Sequence, residues 1–234
     1  MIKIEKTDVS GWEAAIRGMR NPLNSWDKSD SEPCWSPTAP GGGCWNCENR
    51  DTPNCHADIY HVGENDLDLM KRLVKSGSDH SKFMRMLLVT VDVTAPFYWW
   101  KEYDTYKVGT VANSCSTMHK ITSKPIELSD FSMDNFYIED EGIDLKDMFI
   151  NVVADCESLR KKYLETKDKR YWRGLIQLLP NSYNQKRTLL LNYAVLRNIY
   201  HSRKNHKLTE WHTFCAWVES LPYSELITGG TGND

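Results

Sequence analysis

A single β-branched segment, FMRMLLVTVDVT at residues 83–94, constrains the fold of this chain more than any other feature. Its Val and Thr residues alternate near the end of the segment, which is typical of a strand. Pro96 follows almost at once, and proline is favoured at the first position of a helix because its missing N–H costs no hydrogen bond there. The segment therefore predicts a strand that leads directly into a helix over residues 97–107.

Helical periodicity accounts for much of the remaining chain. The predicted helices cover residues 11–19, 65–77, 145–164, 184–201 and 208–220. Pro180 breaks the chain before the fourth of these, and residues 109–116 are predicted as a loop of small residues. The sequence contains no internal repeat, and its helices do not alternate regularly with strands. We therefore predict the α+β class.

The domain organisation follows from composition. We predict a single domain over residues 1–226, interrupted by a Cys-, Gly- and Pro-rich insertion at about 31–59. The last residues, 227–234, end in the sequence GGTGND, and we expect them to form a disordered tail.

Charge and hydropathy limit the partners of the chain. Its 29 Lys and Arg against 32 Asp and Glu give a net charge of −3, so any anion site must be local. Contacts between basic residues and phosphates dominate the affinity for nucleic acid. Because the chain carries a net negative charge, we do not expect nucleic acid as a partner. No apolar run reaches the roughly 18 residues that indicate a membrane span. The N-terminus carries charges where a signal peptide is apolar, and the seven cysteines are an odd, scattered set. We expect a cytoplasmic protein with no membrane partner.

The insertion holds a candidate zinc site. Cys44 and Cys47 are separated by two residues, a spacing that lets both thiolates bind one tetrahedral zinc ion. Cys34, with Cys55 or His56, would complete the ligand set. The outer spacings match no standard zinc finger, so the alternative is a flexible insertion whose cysteines are incidental.

Residues 98–120, YWWKEYDTYKVGTVANSCSTMHK, combine many aromatic residues with charges and then small hydroxyl residues. A core helix followed by a polar turn is one interpretation. A second is a loop whose hydroxyl and backbone N–H groups hold a phosphate. A third, weaker hypothesis is single-strand nucleic-acid binding, with Trp99, Trp100, Tyr103 and Tyr106 as stacking platforms.

Two other positions are candidates for ligand binding. His80 follows the helix-ending Gly77 and precedes the predicted strand, where a turn histidine is the simpler interpretation. Further on, Asn192, Asn198 and Arg203 would suit a planar, amide-rich ligand together with a phosphate or carbonyl group. The alternative for Asn192 is a structural role, because a polar residue beside an apolar face usually bonds backbone groups.

These pieces, in this order, resemble the flavin-dependent thymidylate synthases, the ThyX family. The resemblance covers roughly residues 11–217, apart from the insertion. His80 lies fifteen residues before Ala95-Pro96, as the flavin-facing histidine of that family does. Leu179-Pro180 matches the Leu-Pro of the family. The resemblance implies helices packed on a small, mostly antiparallel sheet.

The resemblance also implies roles for individual residues. Arg203 matches the arginine that contacts the pyrimidine of dUMP, and Ser116 matches the serine of the family's signature; both would be catalytic. The cofactor FAD would be bound by His80, Lys82, Tyr106, Lys107, Asn192 and Asn198. The substrate, a pyrimidine deoxynucleotide, would be bound by Glu102, Asn113, Ser114, Cys115, Arg187 and Arg203.

The chain departs from the family within its signature. Where the family has Arg-His-Arg, this sequence has Thr105-Tyr106-Lys107. Asn113 and Ser116 match the signature Asn and Ser if one extra residue is allowed, and without that residue Cys115 falls at the serine position. The phosphate-binding arginine before the Leu-Pro is replaced by Ile176. Lysine is a point charge where arginine is a fork, so bidentate contacts are lost.

The implied reaction is the conversion of dUMP to dTMP by reductive one-carbon transfer, or a variant of it. NADPH and methylenetetrahydrofolate would be the co-substrates, the flavin would carry the hydride chemistry, and the protein would be a homotetramer. The alternative is a ThyX-derived protein without catalysis, which holds a nucleotide or a partner. A yellow purified protein would favour the enzyme, and a colourless one that takes up no FAD would favour the alternative.

Overall fold

The computed structural model describes residues 2–33, 60–134, 136 and 145–229. The strands in these ranges are β1 (Lys3–Ser10), β2 (Glu32–Pro33), β3 (Tyr60–His61), β4 (Leu88–Pro96), β5 (Val111–Ser114) and β6 (Asn184–Asn192). The α-helices are α1 (Trp12–Arg20), α2 (Glu64–Lys75), α3 (Phe97–Tyr103), α4 (Thr117–Lys120), α5 (Leu145–Thr166), α6 (Lys169–Leu178), α7 (Tyr193–Arg203), α8 (Thr209–Glu219) and α9 (Glu225–Thr228). Short 3-10 helices cover Asn21–Leu23, Trp26–Lys28, Lys82–Arg85 and Leu128–Asp130.

Four of the strands form a small antiparallel sheet in the order β1-β4-β6-β5. The two short strands β2 and β3 pair separately and antiparallel, with Glu32 opposite His61. Helices make up most of the remaining described residues. The predicted α+β class, with helices around a small sheet, is confirmed.

The strand leads directly into a helix at Pro96, as predicted, but it begins only at Leu88, because the 3-10 helix Lys82–Arg85 covers the start of the predicted strand. In β4 the side chains of Val89, Val91 and Val93 are buried, so the strand has the period of two that its sequence indicates. Helix α3 begins at Phe97, directly after Pro96. It ends at Tyr103, so the predicted extension to residue 107 is wrong.

The predicted helix over residues 184–201 is wrong in its first half. Residues Asn184–Asn192 form strand β6, and only then does α7 begin. Leu189 and Leu191 are buried while Lys186 and Thr188 are exposed, which is the alternation of a strand. The leucine run of this segment fits a helix as well as a strand, and its pairing between β4 and β5 decides for the strand.

Other elements match the prediction more closely. Helices α1, α2, α5 and α8 lie within two residues of their predicted bounds at each end. The predicted loop over 109–116 contains strand β5, which is a correction. Strand β1 and helix α6 were not predicted from the sequence.

The chain forms two compact units. The first comprises Met1–Glu5, Asp92–Thr105 and Ala112–Leu189; the second comprises Lys6–Val91, Tyr106–Val111 and Leu190–Asp234. In the first unit, α5 packs against α6. Its core cluster contains Ile121, Ile126, Phe131, Phe149, Val153, Cys156 and Leu175.

Three of the aromatic residues of α3 are also core residues of the first unit. Trp99, Trp100 and Tyr103 are each at most 2% exposed. Trp99 stacks on Tyr103 with ring centroids 5.3 Å apart, and the indole N–H of Trp100 donates to the backbone oxygen of Gln185 at 2.9 Å. Buried rings cannot serve as stacking platforms for bases, so these three rings do not support the nucleic-acid hypothesis.

In the second unit, α7 packs against both α8 and α9. The edge of the Trp12 ring meets Tyr193 at 5.6 Å and Tyr223 at 5.1 Å between ring centroids. The hydroxyl of Tyr193 donates to the backbone oxygen of Pro222. These contacts fix the beginning of α7 against the chain that leads into α9.

A buried carboxylate organises the chain before α2 in the second unit. Asp66 is fully buried and accepts hydrogen bonds from Arg20 Nε at 2.6 Å and from the hydroxyls of Ser29 and Ser31. Burial alone would raise the pKa of Asp66, but the bonds from Ser31, Ser29 and Arg20 outweigh it and hold the pKa below its ordinary value. Asp66 therefore stays charged and holds the segment around residues 20–31 in place.

The remaining predictions on organisation concern the chain's ends and its insertion. Residues 34–59, which make up most of the predicted insertion, lie outside the described residues, as do residues 230–234 of the tail. The single domain stays a prediction. Within the described ranges, none of the helices combines the length and apolar character that crossing a bilayer requires.

We expect Asp66→Asn to lower the free energy of unfolding by about 3–5 kcal/mol, because it leaves the Arg20 guanidinium buried without its counter-charge. Chemical denaturation at pH 7 measures this. The control is Asp68→Asn on the same helix, whose side chain is 67% exposed and pairs with an equally exposed Arg72. It should cost less than about 1 kcal/mol. Equal losses in both variants would contradict the central role of Asp66.

A second prediction concerns acid stability in the first unit. Glu157 on α5 accepts from Arg160 Nε at 2.7 Å and from the backbone N–H of Ile126 at 2.9 Å. Chiefly through the bond from Arg160, the pKa of Glu157 falls to about 2. Because the folded-state pKa lies below the unfolded value of about 4.3, the carboxylate stabilises the fold above that value. This contribution is lost as the pH falls from about 4.5 towards 2.

Glu157→Gln should therefore lower the free energy of unfolding at pH 7 by on the order of 2 kcal/mol, with a smaller difference from wild type at pH 2.5. Denaturation at both pH values gives the comparison. Glu165→Gln, at an exposed position of the same helix, is the matched control. A difference between wild type and Glu157→Gln that does not change with pH would refute the linkage.

Candidate functional site

An arginine held between two aromatic rings is the central feature of the candidate site in the second unit. Arg203 is the last residue of α7, and its Nε donates to the hydroxyl of Tyr106 at 2.8 Å. The guanidinium carbon lies 5.0 Å from the ring centroid of Trp211 and 5.5 Å from that of Tyr106, both within cation–π range. A cation is also favoured at this position by the helix dipole. The structure thus brings together two predicted site residues, Tyr106 and Arg203.

Asn192 sits where β6 passes into α7. Its side-chain oxygen accepts from the backbone N–H of Val195 at 3.0 Å, which caps the helix. Its amide nitrogen donates to the backbone oxygen of Gly109 at 3.4 Å. Asn192 therefore makes the structural contacts that the simpler interpretation predicts, and its role in flavin binding stays a prediction.

The backbone of Gly109 lies so close to Asn192 and Val195 that a side chain at this position would push these neighbours aside. Its φ of +74° is in the left-handed region that favours glycine. An added Cβ would lie 3.1 Å from Val195 Cγ2 and 3.2 Å from Asn192 Nδ2. The loop that carries Tyr106 is thus pressed onto the first turn of α7. Thr110 tightens the same loop, since its hydroxyl donates to the backbone oxygen of Tyr106.

A cavity of about 500 Å³ opens beside α7 in the second unit. It is lined by the end of α2, the turn that follows it and one face of α7. The lining residues are Val74, Lys75, Ser76, Gly77, Ser78, Ser81, Met84, Ala194, Arg197, Asn198 and His201. No carboxylate is among these described residues, whereas two cations, a histidine, three hydroxyls and an amide are. The cavity therefore suits an anionic or amide-rich ligand.

Two of the basic residues in this lining are constrained by burial. Arg197 donates to the backbone oxygens of Leu226, Ile227 and Gly229 at 2.7–3.2 Å, which ties α7 to the end of α9. Burial lowers the pKa of Arg197. Burial, followed by repulsion from nearby cations, also lowers the pKa of His201. At neutral pH His201 therefore offers the cavity an uncharged imidazole, and Arg197 shapes one wall.

The other residues predicted to bind the cofactor lie in the second unit but are less closely grouped. His80 is exposed, in the turn whose Gly77, Ser78 and Ser81 line the cavity, and its backbone N–H donates to the oxygen of Gly77. Lys82 begins a 3-10 helix just after this turn and is also exposed. Lys107 is exposed in the loop after Tyr106. Of the predicted set, Asn198 is the residue that lines the cavity.

In the first unit, Arg187, one of the residues predicted to bind the substrate, is already paired. Arg187 on β6 donates to both carboxylate oxygens of Asp104, at 2.6 and 3.4 Å. Its guanidinium carbon lies 4.1 Å from the ring centroid of Trp100. Its Nε donates to the side-chain oxygen of Gln185 at 2.9 Å. The guanidinium is therefore oriented from three sides.

Gln185 connects Arg187 to the segment that contains the predicted substrate residues. Its amide nitrogen donates to the backbone oxygen of Cys115 at 2.9 Å and to the hydroxyl of Thr117 at 3.1 Å. The backbone N–H of Cys115 donates to the oxygen of Lys186 at 3.0 Å. Cys115 is an exposed free thiol. The segment is thus fixed to β6 through its backbone, and its side chains remain exposed.

The remaining predicted substrate residues also lie in the first unit. Asn113 and Ser114 are on β5, and Ser116 immediately precedes α4; all three are exposed. Glu102 is half-buried on α3. These positions are compatible with ligand contact, and their roles stay predictions.

The predicted zinc ligands Cys34, Cys44, Cys47 and Cys55, with His56, lie outside the described residues. Among the residues that the structure does describe, no group of three or more His, Cys, Asp and Glu side chains is placed to hold a metal ion. Burial raises the pKa of the Cys156 and Cys215 thiols to about 11, so neither is a reactive thiolate at neutral pH.

Sequence reasoning missed Asp104, Gln185 and Trp211. Asp104 directly precedes the rewritten Thr105-Tyr106-Lys107 signature, which is a signal that it could pair with a cation. Gln185 lies two residues before Arg187 on β6, a spacing that places both side chains on one face of the strand. Its contacts with Cys115 and Thr117, and that of Trp211 with Tyr106, join residues distant in sequence, which no pattern in one sequence indicates.

The solved structures that are similar to this chain include the following two. One is thymidylate synthase X (ThyX) from Helicobacter pylori with FAD and dUMP, with a TM-score of 0.64, 14% identity, and coverage of 97% of this chain and 98% of that one. The other is flavin-dependent thymidylate synthase ThyX from Helicobacter pylori complexed with FAD and dUMP, with a TM-score of 0.63, 16% identity, and coverage of 98% and 99%. No protein-family model and no curated protein sequence matches the chain. The chain therefore has a ThyX-like fold, as the resemblance implies, with a sequence that is only 14–16% identical to those of these two structures.

Proposed function

We propose that this protein is a flavin-dependent, thymidylate synthase-like enzyme that acts on a pyrimidine deoxynucleotide. The reaction is the conversion of dUMP to dTMP by reductive one-carbon transfer, or a variant of it. The observation that carries the proposal is the likeness to ThyX with FAD and dUMP over 97% of the chain. The tethered Arg203 supports it, because that residue matches the pyrimidine-contacting arginine of the family.

The residues present fit a bound flavin. The cavity beside α7 has a volume of about 500 Å³, within the range of ligand sites. The amide of Asn198 offers both a donor and an acceptor, which suits the carbonyl and imide edge of an isoalloxazine ring. Lys75 and the serine hydroxyls offer donors to phosphate oxygens. In this proposal Asn198 and the turn of His80 hold the cofactor, with Lys82, Lys107, Tyr106 and Asn192 contributing as the resemblance implies.

Arg203 supplies the electrostatic part of the proposed chemistry. Its guanidinium would donate to a pyrimidine carbonyl oxygen and stabilise the negative charge that develops there when carbon-5 becomes a nucleophile. Ser116 would orient the substrate, and Arg187 would contact its phosphate. The bound flavin would supply the hydride, with NADPH as the source of electrons and methylenetetrahydrofolate as the source of the one-carbon unit.

A protein without catalysis, which binds a nucleotide or a partner, is the second candidate. The observation in its favour is that Arg187 is paired with Asp104 while the signature arginines are replaced by Thr105 and Lys107. The tethered Arg203 favours the enzyme. Zinc binding, assembly as a homotetramer and a cytoplasmic location stay predictions.

We expect Asn198→Ala to weaken FAD binding by about 1–3 kcal/mol, roughly 5- to 150-fold, through the loss of a buried hydrogen bond. His80→Ala and Asn192→Ala should also weaken it. Because Asn192 caps α7, its replacement should also lower the melting temperature, which Asn198→Ala should leave nearly unchanged. Fluorescence titration of FAD gives the affinities, and Asn205→Ala, at an exposed position beyond α7, is the control. A wild-type protein that binds no FAD would contradict the proposed function.

Turnover on dUMP should be weak. Lost forked contacts to phosphate are worth roughly 1.5–3 kcal/mol each, and lysine restores charge but not geometry. We expect tritium release from 5-tritiated dUMP, with NADPH and methylenetetrahydrofolate, to be slow in wild type and abolished in Arg203→Ala. Arg173→Ala, at an exposed position on α6, should behave as wild type. Robust wild-type turnover would show that the missing arginines are dispensable, and intact dUMP binding by Arg203→Ala would exclude Arg203 as the pyrimidine contact.

A further inference from the structure

The loop of Tyr106–Thr110 runs along α7 and touches it at both ends. At the start of the helix, Gly109 lies against Asn192 and Val195. At the end of the helix, the hydroxyl of Tyr106 accepts from Arg203. Gly109 holds the loop to the helix, and the hydroxyl of Thr110 binds the backbone oxygen of Tyr106. These two contacts do not involve Arg203, and they leave Tyr106 little freedom to move away from it. The contact between the two side chains is therefore built into the fold.

Trp211, on α8, is the second aromatic residue that contacts Arg203. Its indole is fully buried and meets the edge of the Tyr106 ring, with centroids 6.2 Å apart and planes at 73°. The same indole lies 5.0 Å from the Arg203 guanidinium carbon. The guanidinium is thus oriented by a hydrogen bond at Nε and by the faces or edges of two rings. An arginine at a helix end would otherwise be able to fold back onto the last carbonyls of its own helix.

We propose that Tyr106 and Trp211 are positioning residues that hold Arg203 ready to recognise a pyrimidine nucleotide by its ring carbonyl. The identity of the ligand rests on the proposed function, whereas the positioning of Arg203 by Tyr106 and Trp211 does not. A guanidinium offers only donors, so it favours the carbonyl at carbon-4 of uracil over the amino group of cytosine. An oriented guanidinium enforces this preference more strongly than a mobile one, because less freedom is lost on binding. Tyr106 thereby affects selectivity between dUMP and dCMP.

The geometry is tested first, without ligand. The Nε–H signal of Arg203 is assigned in nitrogen–proton spectra as the one lost in Arg203→Lys. We expect its hydrogen exchange to be about five- to tenfold faster in Tyr106→Phe, which keeps the ring and removes the hydroxyl. Tyr200→Phe is the matched control. It also removes a tyrosine hydroxyl, but this hydroxyl lies on α7 and bonds Glu219 rather than Arg203. Unchanged exchange in Tyr106→Phe would overturn the proposal.

The ligand is tested by calorimetric titration with dUMP and dCMP. Tyr106→Phe should weaken dUMP binding about fivefold and narrow the preference for dUMP over dCMP. In the Arg203→Ala background the same change should have no effect, which a merely structural role of Tyr106 would not produce. An equal effect in both backgrounds would overturn the proposal. If wild type binds neither nucleotide while Tyr106→Phe still accelerates Nε–H exchange, the proposed function fails and the positioning of Arg203 stands.

Discussion

The candidate site in the second unit depends on the side chain of Asn192, which connects α7 to the loop that carries Tyr106. Its oxygen caps α7 through Val195, and its nitrogen holds the carbonyl of Gly109. The first contact sets where α7 begins and therefore where its last residue, Arg203, lies. The second sets the loop that brings Tyr106 to Arg203. One buried amide, 8% exposed, thus contacts both the helix that carries Arg203 and the loop that carries Tyr106.

Asn192 also lies where the prediction of local structure was wrong. Its spacing to Asn198 and Arg203 follows the family pattern, but residues 184–192 were predicted as a helix and form strand β6. The leucines at 189–191 satisfy the apolar positions of either element, and the choice depends on pairing with other strands. The capping side chain of Asn192 marks the boundary between β6 and α7. In the sequence, however, an asparagine within a periodic segment is only a weak signal of such a boundary.

The sequence also did not show which of the aromatic residues after Pro96 belong to the candidate site. The sequence suggested both a core helix and a binding surface, and the structure divides the stretch between them. Trp99, Trp100 and Tyr103 are buried on α3, whereas Tyr106 lies beyond the end of the helix against Arg203. The helix ends at Tyr103, and no glycine or proline marks that end. Which aromatic residue is structural and which contacts the site arginine therefore follows from packing rather than from composition.

The ion pair between Arg187 and Asp104 raises the question whether Arg187 can still bind a substrate phosphate. The free energies of the two contacts answer it. The side chain of Asp104 is 48% exposed, so its pair with Arg187 contributes at most about 1 kcal/mol. A forked contact between arginine and phosphate is worth roughly 1.5–3 kcal/mol. A phosphate that reached Arg187 would therefore displace Asp104 with a net gain, and Trp100 and Gln185 would keep the guanidinium oriented during the exchange. The pairing lowers the affinity for phosphate without removing Arg187 from the proposed substrate site.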